Sequence, residues 1–302
     1  MNKQYDSTRF RGVFSLLLTP FKEDQSIDWD AYKRYVDWQL SFKPNGLFAV
    51  CGTSEMKWLS LDERLKLATI AVECAGSTPV VATANLEDGL EAQKEEMEQM
   101  METGVAGLVL VPPIGMGEDQ SRLKSHFAQL LEGVTNPVLL YEWPESKPKY
   151  VSPKVYKELV EEYGLMGIKD TTCTMKDIME KIKGAKQSII YQANTPFMYE
   201  AFKHGAQGMM AITTSAYTDV AVAFWNAAEQ GMEEEAIKWY QALVMIDTFM
   251  GKAYPVTAKY MVQLRTEIMS TECRWPISLN EETKQAIQVC VSYIDSIGVM
   301  SK

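Results

Sequence analysis

Leu165-Met166-Gly167-Ile168-Lys169-Asp170-Thr171-Thr172 is the stretch on which the fold turns. Four uncharged residues run without polar alternation into a lysine, a carboxylate and two hydroxyls. A short continuous apolar run with a polar end is the pattern of a strand buried on both faces of a parallel sheet. Working outward, the same pattern recurs at Val13–Leu18, Gly46–Val50, Pro79–Ala84, Gly107–Val111, Pro137–Tyr141, Ser188–Gln192 and Gly208–Ile212. With Leu165–Lys169 that makes eight strands.

The stretches between these runs carry helix signals. Asp28 precedes a stripe of Trp29, Tyr32, Val36 and Leu40, and Ser60 with Glu63 forms a capping box ahead of Leu61, Leu65, Ala68 and Val72. Ser152 before Pro153 and Thr195 before Pro196 place a cap residue ahead of a first-turn proline. Eight strand–helix repeats predict an α/β fold, a (β/α)₈ TIM barrel. The alternative, an open doubly wound sheet, lacks its Gly-rich phosphate loop: Thr19-Pro20-Phe21 follows the first run instead. From about Trp225 the strand signals stop, and Glu233–Phe249, Pro255–Ile268 and Asn280–Ile297 read as helices. The expected organisation is a barrel carrying the active site over residues 1–224 and a C-terminal helical appendage over 225–302, packed on it as one structural unit.

Bulk properties narrow the function. The 302 residues are 46% hydrophobic and 23% charged, an ordinary globular composition with length enough for a large core. A net charge of −10 argues against a nucleic-acid partner. No apolar run approaches the length of a membrane span, and the opening Met1–Phe10 is polar. The five cysteines are scattered and form no CxxC pair, which fits a reducing compartment and a cytoplasmic location. Only two histidines, His126 and His204, are present and they stand far apart, so no His-rich metal site is expected. The methionines, among them Met97, Met100, Met101, Met209 and Met210, read as core filler, Glu91–Glu98 as a solvated helix face, and Cys51 and Cys173 as inert thiols near strand ends.

In such a barrel the chemistry sits at the C-terminal ends of the strands. Lys169 closes the sixth. A lysine turned into the barrel mouth is desolvated, its pKa falls, and the neutral amine is a nucleophile for carbonyl carbon. The bland alternative is a strand-end lysine paired with a carboxylate such as Asp170, and the residues alone leave both open. Tyr141 closes the fifth strand as a proton carrier or as a core tyrosine. Gly52-Thr53-Ser54 offers hydroxyls and backbone N–H groups to a carboxylate, or is an ordinary small-residue turn. Thr171 and Thr213, at the ends of strands six and eight, join these as candidate substrate-binding residues. Glu142 reads as a solvated loop residue, with a general base as its alternative.

Together these positions resemble one family, the dihydrodipicolinate synthase / N-acetylneuraminate lyase family of pyruvate-type class I aldolases. Its Schiff-base segment, G-[IVL]-K-[DE]-[ST]-[ST], is matched by Gly167–Thr172. Its Y-N-x-P turn is matched by Tyr141-Glu142-Trp143-Pro144, with Glu142 for Asn, and its G-T-T-G-E turn partly by Cys51-Gly52-Thr53-Ser54-Glu55. Thr19-Pro20-Phe21, Ile27-Asp28 and Pro255–Lys259 fit the family's opening and its late helix start. The resemblance implies a lyase that needs neither metal nor cofactor. Lys169 would form an imine with pyruvate or a 2-keto-3-deoxy sugar acid, Tyr141 would move protons, and the Gly52–Ser54 turn would hold the carboxylate. It also implies a homo-oligomer, tetramer or dimer. Two departures stand out. The stretch after strand four, Val111–Met116, lacks the tyrosine of dihydrodipicolinate synthases, and Ser146, with Lys147 and Lys149 nearby, stands where they carry an arginine. They point toward the sugar-acid branches and a neutral or polyhydroxylated aldehyde partner. The synthase of lysine biosynthesis is the alternative. A metal-assisted enzyme on the same barrel and an inactive binding homologue are the remaining readings.

Overall fold

The computed structural model describes residues 6–298, so the first five residues of the polar opening lie outside the described residues. Eight strands form in the expected places: β1 (Gly12–Leu16), β2 (Gly46–Val50), β3 (Val80–Thr83), β4 (Gly107–Leu110), β5 (Val138–Tyr141), β6 (Gly167–Asp170), β7 (Ile189–Gln192) and β8 (Gly208–Met209). They pair in parallel in chain order, and β8 bonds back to β1 to close the barrel. Strand residues are buried at every position, those facing the helices as well as those facing inward, which is why the runs are continuous rather than alternating.

Eight helices follow the strands in turn: α1 (Trp29–Ser41), α2 (Leu61–Ala75), α3 (Leu90–Glu102), α4 (Gln120–Leu131), α5 (Pro153–Tyr163), α6 (Met175–Gly184), α7 (Met198–Lys203) and α8 (Thr214–Glu229). The caps read from sequence largely form. Asp28 accepts from Ala31 N, Ser152 from Val155 N with Pro153 at the first position, and Ser60 and Glu63 bond reciprocally. Thr195 is the exception. Asn194 takes the cap position of a 3₁₀ turn over Thr195–Phe197, and the Thr195 hydroxyl donates to Asp247 instead. The face at Glu91–Glu98 is only partly solvated: Glu96 is fully buried, accepting from Leu86 N and Glu87 N and pairing with Arg64 at 3.0 Å.

Three helices complete the chain, α9 (Glu233–Met250), α10 (Val256–Thr266) and α11 (Glu281–Ser296). The expected boundary at 224/225 falls inside α8, which packs on β1 and α9 together. Three cations of this segment reach barrel carboxylates. Lys259 meets Glu55 at 2.6 Å, Arg265 grips Asp219 through two nitrogens, and Arg274 grips Glu63. No described helix is long and apolar enough to cross a membrane.

The lower barrel is filled by Tyr191 and Phe14, edge to face at 5.4 Å. Tyr191 covers Gly208 and Gly167; a Cβ on Gly208 would meet its ring at 2.2 Å, so only glycine admits this ring. This plug leaves the C-terminal mouth as the open end.

Candidate active site

β5 and β6 lie in register with Tyr141 opposite Lys169. Both side chains point into the barrel. The Lys169 ammonium stands 4.3 Å from the centre of the Tyr141 ring and 5.4 Å from that of Phe48, which reaches in from β2. Successive side chains on a strand face opposite sides. Asp170 and Glu142, the next residue along each strand, therefore point outward to the helix layer. There Lys181 of α6 meets both carboxylates, Glu142 at 2.8 Å and Asp170 at 2.7 Å, with all three side chains fully buried. This removes the bland reading of Lys169. Asp170 is its neighbour in sequence but the partner of Lys181, and Lys169 makes no ion pair among the described residues.

Burial without a counter-charge pulls the Lys169 ammonium down to about 8, against a smaller opposing effect of Cys51. About a tenth of the side chain is then neutral at pH 7, against roughly one part in 3000 for an ordinary lysine. Burial holds the Tyr141 phenol well above its usual range, so it rests protonated.

Glu142 is not the solvated loop residue expected from sequence. It is fully buried, accepts from Val151 N at 2.9 Å and Thr171 N at 3.2 Å, and pairs with Lys181. Burial raises its carboxyl and Lys181 opposes that; the Lys181 ammonium, which burial alone would lower, is raised by its two carboxylates. A lysine within the apolar stripe of α6, at helical spacing from Ile178, was the signal for this partner.

The remaining expected site residues divide. Gly52 and Thr53 line a cavity of about 200 Å³ with Tyr141, Trp143, Tyr254 and Trp275. A Cβ on Gly52 would lie 3.2 Å from both the Tyr141 hydroxyl and the Trp143 indole nitrogen, so glycine keeps the space beside the phenol open. Ser54 is spent on its own turn: its hydroxyl accepts from Cys51 N at 2.6 Å and donates to Cys51 O, and its N–H also goes to Cys51 O. Thr171 gives its hydroxyl to the Glu142 carbonyl at 2.5 Å yet still lines the mouth. Thr213 is fully buried, and its hydroxyl has no partner among the described residues.

A second cavity of about 350 Å³ opens on the other side of Tyr141, lined by Lys149, Lys169, Thr171, Asn194 and Asp247. Lys149 is the lysine of the 144–152 loop that enters it; Lys147, its exposed neighbour, does not. Glu145 lines the smaller cavity and pairs with Lys57 at 3.1 Å. Cys51 is buried, while Cys173 is exposed at the rim of the larger cavity with its thiol pushed up by partial burial.

The comparisons with known proteins agree with this architecture. Residues 9–294 match the Dihydrodipicolinate synthetase family. A 4-hydroxy-tetrahydrodipicolinate synthase of Bradyrhizobium diazoefficiens is 28% identical over 289 residues, covering 93% of this chain and 95% of its own. An N-acetylneuraminate lyase of Rhizobium meliloti is 28% identical over 233 residues, covering 76% of each. Among solved structures, a monomeric dihydrodipicolinate synthase variant superposes with a TM-score of 0.89 at 21% identity, over 96% of this chain and 99% of that one. A prophage protein of E. coli K12 from the dihydrodipicolinic acid synthase family, in complex with pyruvate, gives a TM-score of 0.88 at 21% identity, over 95% and 99%.

Proposed function

Because the chain belongs to the dihydrodipicolinate synthetase family, a family of Schiff-base lyases and aldolases, we propose that it is a class I aldolase or lyase acting through an imine on Lys169. The observation that carries this reading is a buried lysine without a counter-charge in the mouth of the barrel, its pKa near 8. The substrate is pyruvate or a longer 2-keto acid. The neutral Lys169 amine attacks the keto carbon, and the carbonyl oxygen leaves as water after taking one proton from the attacking nitrogen and one from a neighbouring acid. Tyr141, resting protonated above Lys169, is the donor. The protonated imine then accepts the electron pair of the adjacent C3–C4 or C3–H bond, giving an enamine. The phenolate left by the first donation sits beside the iminium cation and takes the proton of the C4 hydroxyl as the aldehyde departs, or the C3 proton where the C3–H bond is the one that breaks. In the reverse direction the enamine attacks an aldehyde. Gly52 and Thr53 offer backbone N–H groups to the keto acid's carboxylate.

Gly52 in place of the family's first threonine, and Ser146 in place of an arginine, favour a sugar-acid type of substrate over the synthase reaction. The test is borohydride reduction with pyruvate, followed by intact mass and peptide mapping. One pyruvate-derived mass should appear on Lys169, and Lys169→Ala should take up none. Tyr141→Phe should slow capture by about 10²-fold with little change in melting temperature. A label on another lysine would refute the assignment.

A further inference from the structure

The loop over 144–152 has no helical or strand periodicity, yet it turns one ammonium back into the barrel mouth. Lys149 Nζ donates to the Thr171 carbonyl at 2.6 Å, two residues beyond Lys169. An ammonium has three donors. One is used here, and Lys149 makes no ion pair among the described residues. Glu142 and Asp170, the carboxylates that act on Lys149 through space, are occupied from beneath by Lys181. Lys149 is half-buried, and burial depresses its pKa more than the surrounding acidic groups raise it, so the site bears the cost of a partly desolvated cation with no carboxylate in ion-pair contact among the described residues. The same cavity holds the Lys169 amine, and at about 350 Å³ it is larger than pyruvate alone needs.

The geometry points to Lys149 as the anchor for a carboxylate at the far end of the substrate, which makes the preferred ligand a 2-keto acid with a second, terminal carboxylate. This rests on the imine reading above. The near carboxylate has its own place: Gly52 and Thr53 line the smaller cavity, Lys149 the larger, and the two meet at Tyr141. A chain running from the imine carbon toward Lys149 passes through a cavity whose wall also carries Asn194 and Asp247. The Asn194 side-chain nitrogen has no partner among the described residues. Asp247 accepts from Thr195 at 2.9 Å, and burial raises its carboxyl, so it suits a hydroxyl donor and leaves Lys149 as the anion's partner. The expectation of a neutral partner rested on Ser146 in place of an arginine together with the missing tyrosine after strand four; Ser146 is buried, and a cation enters three positions later.

The experiment compares two probes of equal chain length, 2-oxoadipate and 2-oxohexanoate, in borohydride capture, with pyruvate as the reference. The wild-type protein should half-saturate at about 10-fold or more lower concentration with 2-oxoadipate, the scale of one charge-assisted hydrogen bond. In Lys149→Met that ratio should fall to near one, and in Lys149→Arg it should persist. Reading the ratio within each protein cancels any general loss of capture. Capture of pyruvate by the wild type with equal half-saturation for the two probes overturns the Lys149 assignment alone, as does a ratio that survives in Lys149→Met. Absence of pyruvate capture by the wild type overturns the imine reading, and this inference with it.

Discussion

At the scale of single residues, the fate of Lys169 is set by alternation along one strand. Had the side chain faced the helix layer it would have met carboxylates; facing inward it meets Phe48 and Tyr141. The consequence is a pH dependence. Imine capture requires the neutral amine, so its rate should climb about tenfold per pH unit below pH 8 and level off above it. Stability follows the same titration with a definite sign. The folded state's Lys169 pKa lies below that of the unfolded chain, so the unfolded chain binds more protons between the two values, and native stability rises with pH across that window. Below about 8 the full cost of the buried charge is present. Lys169→Met removes it, and should raise stability at neutral pH by about 3 kcal/mol, an advantage that shrinks as the pH rises above 8. Denaturant melts of both proteins at several pH values would show this. A variant less stable than the wild type at pH 7 would mean that the ammonium has a partner.

At the scale of elements, β5, β6 and α6 are joined by Glu142, Asp170 and Lys181, the buried charges directly behind Tyr141 and Lys169. Removing only the cation leaves two buried carboxylates unpaired. Lys181→Met should therefore cost about 3–5 kcal/mol at neutral pH. In that variant burial raises the Glu142 carboxyl without the opposing charge of Lys181. The folded state then holds protons that the unfolded chain lacks, so the deficit is largest at neutral pH and should lessen on acidification. Equal denaturation midpoints for variant and wild type would remove this cluster from the account of the site. The same elements show what the sequence made legible. All eight apolar runs became strands because a barrel strand buries both faces, and the lysine and tyrosine at two of their ends were readable for that reason. Glu142 was misread because its alternation partner was not carried through: once Tyr141 points inward, the next residue must point outward beneath a helix. Lys149 was beyond reach, since a loop without periodicity does not announce which of two nearby lysines turns inward. Trp143, Tyr254 and Trp275 are gathered by closure of the barrel and return of the C-terminal segment, and no local pattern marks that meeting.

For the whole molecule, the decisive link is the one between Glu55 and Lys259, 204 residues apart along the chain. Glu55 follows the Gly52–Ser54 turn in a left-handed conformation, at φ 60° and ψ 35°, which a glutamate adopts at some cost. It is held there by Lys259 at 2.6 Å and by Trp275 N at 2.8 Å, both from the C-terminal segment. Lys259 also donates to the Glu272 carbonyl and lies over the Phe21 ring. Lys259→Met should leave the Glu55 charge buried alone, cost about 3–5 kcal/mol, and raise the pyruvate concentration needed for half-maximal imine capture, since the turn proposed to receive the carboxylate loses its brace. Melting and capture measured on the same preparation would test the two effects together; a destabilised variant with unaltered pyruvate dependence would separate the brace from the turn.

This link also orders events during synthesis. A ribosome has made every strand of the barrel, with Lys169 and Tyr141 among them, well before Lys259 and Trp275 emerge. Until then the turn at Glu55 has neither its counter-charge nor its backbone donor. The proposed nucleophile is thus translated first and the brace of the turn proposed to receive a carboxylate last, so on that reading a nascent chain has an incomplete keto-acid receptor until its final helices are in place.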